Sequence, residues 1–448
     1  MLSTKIEGIS WIITLDRDRR IIRDGTILIE DGKISGIGAS DAFRSAKADV
    51  VISGNGKLVA PGFIDCHAHL SYGHSMRGLI PDTTPHPEYL RRVFRFQRAM
   101  KPEEEYHTAL LAITELLKNG CTSLLEPGLV NDVNSVVRAV TATGIRAVIG
   151  RSFADMESSI GMHLTETDEA IRQTRWILTS YGGNRKRVRA WIMPFSPDCC
   201  SDEFLHSASE MAERYDAGIT THCSRRRESA GLQIARLGSA GALGERMLLA
   251  HPIFADDREL ELIASTDTRA VFCPSSSTKS SGPCASGVVP KMLNSGITVG
   301  LGSDSASSSC HLDMIRSMHL LSLLSADAGQ GRPTLSPDQV LEMGTIFGAR
   351  ALRMENEVGS LSTGKSADLL IFNTTTPQWT ALFNPVSSLI NSSDGRSIER
   401  VMIGGETVVE NGHVTTIDES ELCTKVQEIG ENVAGRLGIS PQGLWPED

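Results

Sequence analysis

Over residues 1–58 the apolar positions fall in short strand-like runs, "GISWIITLD", "GTILIEDGKISGIG" and "DVVISGNGKLVA", parted by Asp-Gly, Asn-Gly and Gly-Lys turns. This pattern predicts a small β unit. From about Ala60 the pattern changes to short apolar runs separated by longer stretches of helical period, such as "EEYHTALLAITELLKNG". The runs are "APGFIDCH", "CTSLLEPG", "IRAVIGRSF", "VRAWIMPFSP", "AGITTHC", "RMLLAHP", "TRAVFCPSS" and "GITVGLGSD". Eight strands alternating with helices predict an α/β chain built on a (β/α)8 TIM-type barrel. Near Gly364 the β pattern returns in "GKSADLLIFN" and "RSIERVMIGGETVVENGHVTTID", followed by a helical tail, "ESELCTKVQEIGENVAGRLG". Each terminal segment is too short to bury a good core alone. The expected division is therefore one β-sandwich domain from residues 1–58 plus 365–448, closed by the C-terminal helix, around a catalytic barrel at 59–364.

Composition narrows the possible partners. The chain has 448 residues, 40% hydrophobic and 22% charged, which is ordinary for a soluble globular protein. Its net charge is −10, with acids and bases mixed along the chain, so it carries no electrostatic footprint for nucleic acid or an anionic membrane. Nine cysteines form an odd set without zinc-ribbon spacing, and Glu7 and Asp16 interrupt the place where a secretion signal needs an apolar core. No apolar run reaches the roughly 18–20 residues of a membrane helix. The expectation is a cytoplasmic protein with free thiols that acts on a small molecule, with no nucleic-acid or membrane partner.

Candidate chemistry starts at His67 and His69. Side chains two apart on a strand share a face, and at the C-terminal end of a barrel strand that face looks into the active-site mouth. Two imidazoles there suit one metal ion, although a catalytic site needs about three protein ligands and an open position. His222 stands next to last in "GITTHC", His251 ends "MLLAH", and Asp304 follows "ITVGLGS". Five ligand-type residues at four strand ends outweigh the plain reading of incidental histidines.

The segments "APGFIDCHAHL", "MRGL", "GITTHC", "LLAHPIFADDRELELIA", "VFCPSSSTK", "GLGSDSASSSCHLDM" and "VGSLSTGKSADLLIF" resemble the amidohydrolase superfamily. The likeness is to its branch of cytosine-, guanine-, adenosylhomocysteine- and triazine-type hydrolases and spans nearly the entire chain. The resemblance implies the same barrel and two-ended β-sandwich. It implies His67, His69, His222 and Asp304 as metal ligands, with His251 just outside the metal. Two-metal members carry a carboxylated lysine at the end of strand four. Strand four here, "VRAWIMPFSP", has no lysine. One divalent ion per chain is expected, zinc foremost, with iron, manganese or cobalt as the other choices. Family habit implies a homo-oligomer, a dimer or larger.

A divalent metal lowers the pKa of its water, Asp304 is placed to move that water's proton, and His251 to polarise the substrate oxygen. The resemblance also marks a departure. Family deaminases have a glutamate three residues after the strand-five histidine, whereas "HCSRRRES" puts Arg225 there, with Glu228 the nearest acid. Arginine cannot relay protons, but its planar fork can hold a carbonyl. Hydrolysis of a non-peptide amide, urea or carbamate C–N bond is therefore expected. The competing reading returns Glu228 to the site and makes the chain an aminohydrolase of a purine, pyrimidine or s-triazine ring. Arg225, Glu228, Ser276 and His74 are expected to bind substrate, and "DMESSIGM" to cover the site as a lid.

Overall fold

The computed structural model describes residues 2–183, 187–225, 227–281, 287–329 and 334–441. The β patterns at the two chain ends form one nine-stranded sheet. Its order runs from His413–Val414 through Glu406–Glu410, Ile398–Ile403, Leu369–Asn373, Lys57–Pro61, Thr4–Ile13 and Ile21–Glu30 to Lys33–Ala39, with Val50–Ser53 beside Thr4–Ile13. The two ends meet where Leu369–Asn373 runs antiparallel to Lys57–Pro61, pairing Leu370 with Ala60 and Ile371 with Val59. That junction strand continues past residue 58 and leads straight into the parallel strands.

A bulge between Ile6 and Ile9 coincides with left-handed Gly8, φ 65°. Their odd spacing would turn the two side chains to opposite faces of an unbroken strand, and the extra residue brings both into one buried cluster with Ile27, Ile29, Val59 and Ile371. Each such isoleucine contributes roughly 1.5–3 kcal/mol by burial. Truncation of Ile27 to alanine should cost about 2–5 kcal/mol through the cavity it leaves.

All eight apolar runs of the central region form strands: β1 (Phe63–Asp65), β2 (Cys121–Leu125), β3 (Arg146–Ile149), β4 (Val188–Ala190), β5 (Ile219–His222), β6 (Met247–Ala250), β7 (Arg269–Phe272) and β8 (Val299–Leu301). The first four pair in parallel in chain order, as do the last four. Just past β4, Ile192 bridges Ile219 in parallel, and at the other seam Cys66 N–H donates to Leu301 O at 2.8 Å. The strands are buried on both faces, as parallel strands flanked by helices are. Inward-facing Ile64, Leu125, Val148, Leu248 and Val271 pack together beneath the strand ends.

Helices follow the strands with legible start signals. Asp256 caps Asp257–Ser265, accepting from Glu259 N–H at 2.8 Å while Glu259 reaches back to Asp256 N–H. Helix Pro102–Lys118 begins on proline at its first position and places three glutamates in its first turn, where the helix dipole favours them. These short, well-capped connections return the chain so that every strand delivers its C-terminal end to one mouth.

Candidate metal centre

Four strand ends bring five side chains together. The ligand-type atoms of His67, His69 and His222 lie within 4.8 Å of one another, as do those of His67, His251 and Asp304. His69 and His222 stack at 5.8 Å with rings 3° apart, and His67 stands edge-on to both. His69 Nε2 is 3.7 Å from Asp304 Oδ1, and His251 Nε2 is 3.5 Å from Asp304 Oδ2.

Local backbone explains how the site is aimed. Ala68–His69 pairs in parallel with Asp304–Ser305, and Asp304 N–H donates to His67 O at 2.8 Å. This register locks the first and last strand ends together. Gly302 makes the approach possible, since a Cβ there would lie 2.8 Å from the Cβ of His67 and 2.9 Å from Cys273 Sγ. Asp304 and His251 both hold left-handed backbone, φ 64° and 60°. That conformation costs a non-glycine residue on the order of 1–3 kcal/mol and clusters at functional sites.

Burial governs the protonation states. It lowers the pKa of His222 to about 3 and takes those of His67 and His251 well below the usual imidazole value, against the opposing pull of Asp304. These imidazoles are neutral, the form that binds metal. Burial alone would raise the Asp304 carboxyl, but the groups facing it, His251 and the Arg225 guanidinium first, hold it well below the usual carboxylate range. His222 Nδ1 is 3.0 Å from Phe195 O, which fixes its N–H on that side and leaves Nε2 for the cluster. Both ring nitrogens of His67, Nδ1 of His69 and Oδ2 of Asp304 are buried without a hydrogen-bond partner. Buried polar atoms are rarely left so, and this donor set of neutral imidazoles and a carboxylate suits a divalent transition ion.

The cluster opens into a cavity of about 670 Å³ whose lining includes Arg225, Ser276, Lys279 and residues 157–160 of the expected lid stretch. Two expected substrate contacts are not brought to it. His74 is buried elsewhere, its Nε2 2.7 Å from Glu115 Oε2 and 3.1 Å from Arg77, because helix Pro102–Lys118 presents Glu115 to it. Glu228 is exposed in a turn at Arg227–Ser229 and does not line the cavity. Three further residues support the site. Glu126 Oε1 lies 3.7 Å from His69 Nδ1 while its other oxygen accepts from Leu70 N–H. Asp65, raised to about 7 by burial, accepts from Ser303 and from His67 N–H. Tyr89 hydroxyl meets Ser307 at the rim. Glu126 was detectable from its place in "LLEPG", one residue past the apolar run of a strand.

The amidohydrolase family pattern matches residues 58–408, and the chain belongs to that family. It is thus a metal-binding hydrolase of carbon–nitrogen bonds other than peptide bonds. Over 428 residues, 93% of this chain and 95% of the relative, it is 32% identical to a 5'-deoxyadenosine deaminase of Methanothermobacter thermautotrophicus. It superposes with TM-score 0.88 and 20% identity on a zinc-bound adenosine deaminase from Xanthomonas campestris, covering 96% of this chain and 98% of that one. An atrazine chlorohydrolase from Arthrobacter aurescens TC1, complexed with zinc, gives TM-score 0.87 and 23% identity over 95% of this chain and all of its own. These likenesses carry the TIM-barrel-type α/β fold. Among the described residues no helix is long and apolar enough to cross a membrane.

Proposed function

We propose that the chain hydrolyses a non-peptide amide, urea or carbamate C–N bond of a small molecule at one divalent ion held by His67, His69, His222 and Asp304. One observation carries the choice of bond. In the position next to Asp304 and His251 stands Arg225, a permanent cation, while Glu228, the acid that ring deamination would use, is exposed away from the cavity. A divalent ion there supplies a Lewis acid that brings a water's pKa toward neutrality. Asp304 takes the proton of the attacking water and returns it to the leaving nitrogen as the C–N bond breaks. Arg225 and His251 hold the carbonyl oxygen as it gains charge, and Ser276 offers the substrate a hydroxyl from the cavity wall.

Zinc is the proposed metal, supported by the imidazole-rich donors and the zinc in the similar solved structures, with iron, manganese or cobalt able to take the same donors. The two seams at Ile192–Ile219 and Cys66–Leu301 support reading the eight strands as a closed (β/α)8 barrel over 59–364. The nine-stranded sheet drawn from both ends supports one composite β domain from 1–58 and 365–448, which we read as the β-sandwich, with Lys57–Pro61 carrying the chain between the two units. Free thiols among the described residues, such as Cys66, Cys121 and Cys423, support a cytoplasmic setting, and the exposed Phe383 and Trp176 support a homo-oligomer.

A second reading, an aminohydrolase of a purine, pyrimidine or s-triazine ring, is favoured by the deaminase relative at 32% identity. Zinc-loaded protein screened against amides, N-aryl ureas and carbamates beside adenosine derivatives and aminotriazines decides between them. Turnover confined to the first set is expected. Ammonia released only from the aminated rings would overturn the proposal in favour of the second reading.

A further inference from the structure

Helix Pro274–Ser281 has cavities on two sides. Ser276 and Ser280 line the one that holds Asp304 and Arg225, and Lys279 borders both. Ser275 and Thr278 line a second cavity of about 480 Å³. Its opposite wall is helix Met314–Ala328, where Arg316, His319, Leu320 and Leu323 follow the three- and four-residue spacing of one helical face. The end of helix Pro385–Asn391 completes it through Asn391 and Ser393.

The chemistry of this second cavity is one-sided. Two cationic side chains and two histidines line it, and no carboxylate does among the described residues. Lys279 is already engaged, 2.8 Å from Asp82 Oδ1. Arg316 makes neither an ion pair nor a side-chain hydrogen bond among the described residues. The nearby Asp313 is committed to capping the helix, accepting from Arg316 N–H at 3.1 Å. His311, only 6% exposed, sets Nε2 2.9 Å from Ser275 Oγ and leaves Nδ1 without a partner. Thr278 Oγ1 and His319 Nδ1 are also buried and unpartnered. A buried donor left unmade is costly, and a ligand oxygen satisfies it. Ile315, Leu320 and Leu323 give the same cavity an apolar side.

We propose that this second cavity binds a small organic anion, its carboxylate held by Arg316 and His311 and its short apolar body laid against Leu320 and Leu323. The apolar wall favours such an acid over a bare inorganic oxyanion, whose whole surface demands hydrogen bonds. Nothing in this site takes part in the hydrolysis proposed above, so it stands or falls by itself.

Titration calorimetry of the zinc-loaded protein with benzoate, butyrate and inorganic phosphate tests the assignment. Saturable benzoate binding with Kd of about 1 mM or tighter is expected, with phosphate at least about tenfold weaker. Arg316→Gln and His311→Ala should each weaken benzoate by about tenfold or more, as the loss of a charged or buried hydrogen bond does. Arg316 is exposed, so its variant should fold, and without benzoate its kcat/KM should match that of the parent. Arg225→Met, a change in the other cavity, should leave benzoate binding intact. Absence of saturation by about 50 mM benzoate would overturn the proposal. So would phosphate binding as tightly as benzoate, or benzoate affinity that survives Arg316→Gln but is lost with Arg225→Met.

Discussion

Arg225 Nη1 stands 3.6 Å from Asp304 Oδ2, and the same nitrogen is 3.4 Å from His251 Nε2. The guanidinium is steadied from behind by Ser280 Oγ, which accepts from Nε at 3.4 Å and from Nη2 at 3.3 Å. A cation so placed cannot take a proton from water or give one to a ring nitrogen, but it can neutralise oxygen charge that develops between Asp304 and His251. The first prediction follows. Arg225→Met should lower kcat/KM for the best amide, urea or carbamate by about tenfold to a hundredfold, the effect of a charged hydrogen bond. Glu228→Gln should change it less than about twofold. The ring-deaminase reading demands the reverse order, so steady-state kinetics on the two variants separates them.

Asp304→Asn removes the proton carrier while keeping the shape of the side chain. It should leave the protein folded and part of its metal bound, yet reduce kcat by about 10² or more. Metal content by elemental analysis, read beside kcat, tells loss of chemistry from loss of the ion. An unchanged kcat would assign proton transfer to another group.

Glu126 should act through His69. Its carboxylate faces His69 Nδ1 and also accepts from Leu70 N–H, so it orients the imidazole whose Nε2 looks toward Asp304. Glu126→Gln should weaken zinc binding by about tenfold to a hundredfold in a chelator competition, the scale found for partners that orient metal-binding histidines. Zinc affinity equal to the parent's would reduce Glu126 to a tether for the loop.

The parts of this site that the chain displays openly are those fixed by strand alternation. His67 and His69 share a face because they are two apart, and the terminal positions of His222, His251 and Asp304 put them at the mouth of any parallel barrel. What stays hidden depends on contacts distant in sequence. His74 looks like a loop histidine until helix Pro102–Lys118 sets Glu115, 41 residues away, against its ring. Arg225 is visible as a departure from the family pattern, but its direction toward Asp304 comes from the meeting of the loops after β5 and β8. The division of roles along helix Pro274–Ser281, with Ser280 on one cavity and Thr278 on another, is likewise invisible in the run "PSSSTKSS", where six of the eight positions are Ser or Thr.

The last prediction concerns Glu105, one of three glutamates in the first turn of helix Pro102–Lys118 and the one that points inward. It is fully buried, and its two oxygens accept from Asn131 N–H and Asp132 N–H, both at 2.8 Å, so it pins the loop that follows β2. Burial raises its pKa to about 7 despite those two bonds. A raised carboxyl pKa means that the folded chain keeps a proton up to about pH 7, whereas the unfolded chain gives it up above about pH 4.5. Between these values the folded state binds more protons, so this group's contribution to stability is present in acid and declines as pH rises. The decline should amount to roughly 1–3 kcal/mol by pH 8. Glu105→Gln cannot titrate and loses one of the two acceptors, which costs about 1 kcal/mol at any pH. The parent should therefore exceed the variant in Tm by the widest margin near pH 5, and the margin should narrow or reverse at pH 8. A margin that stays constant from pH 5 to pH 8 would mean that Glu105 is ionised throughout and that its two backbone bonds, not burial, set its state.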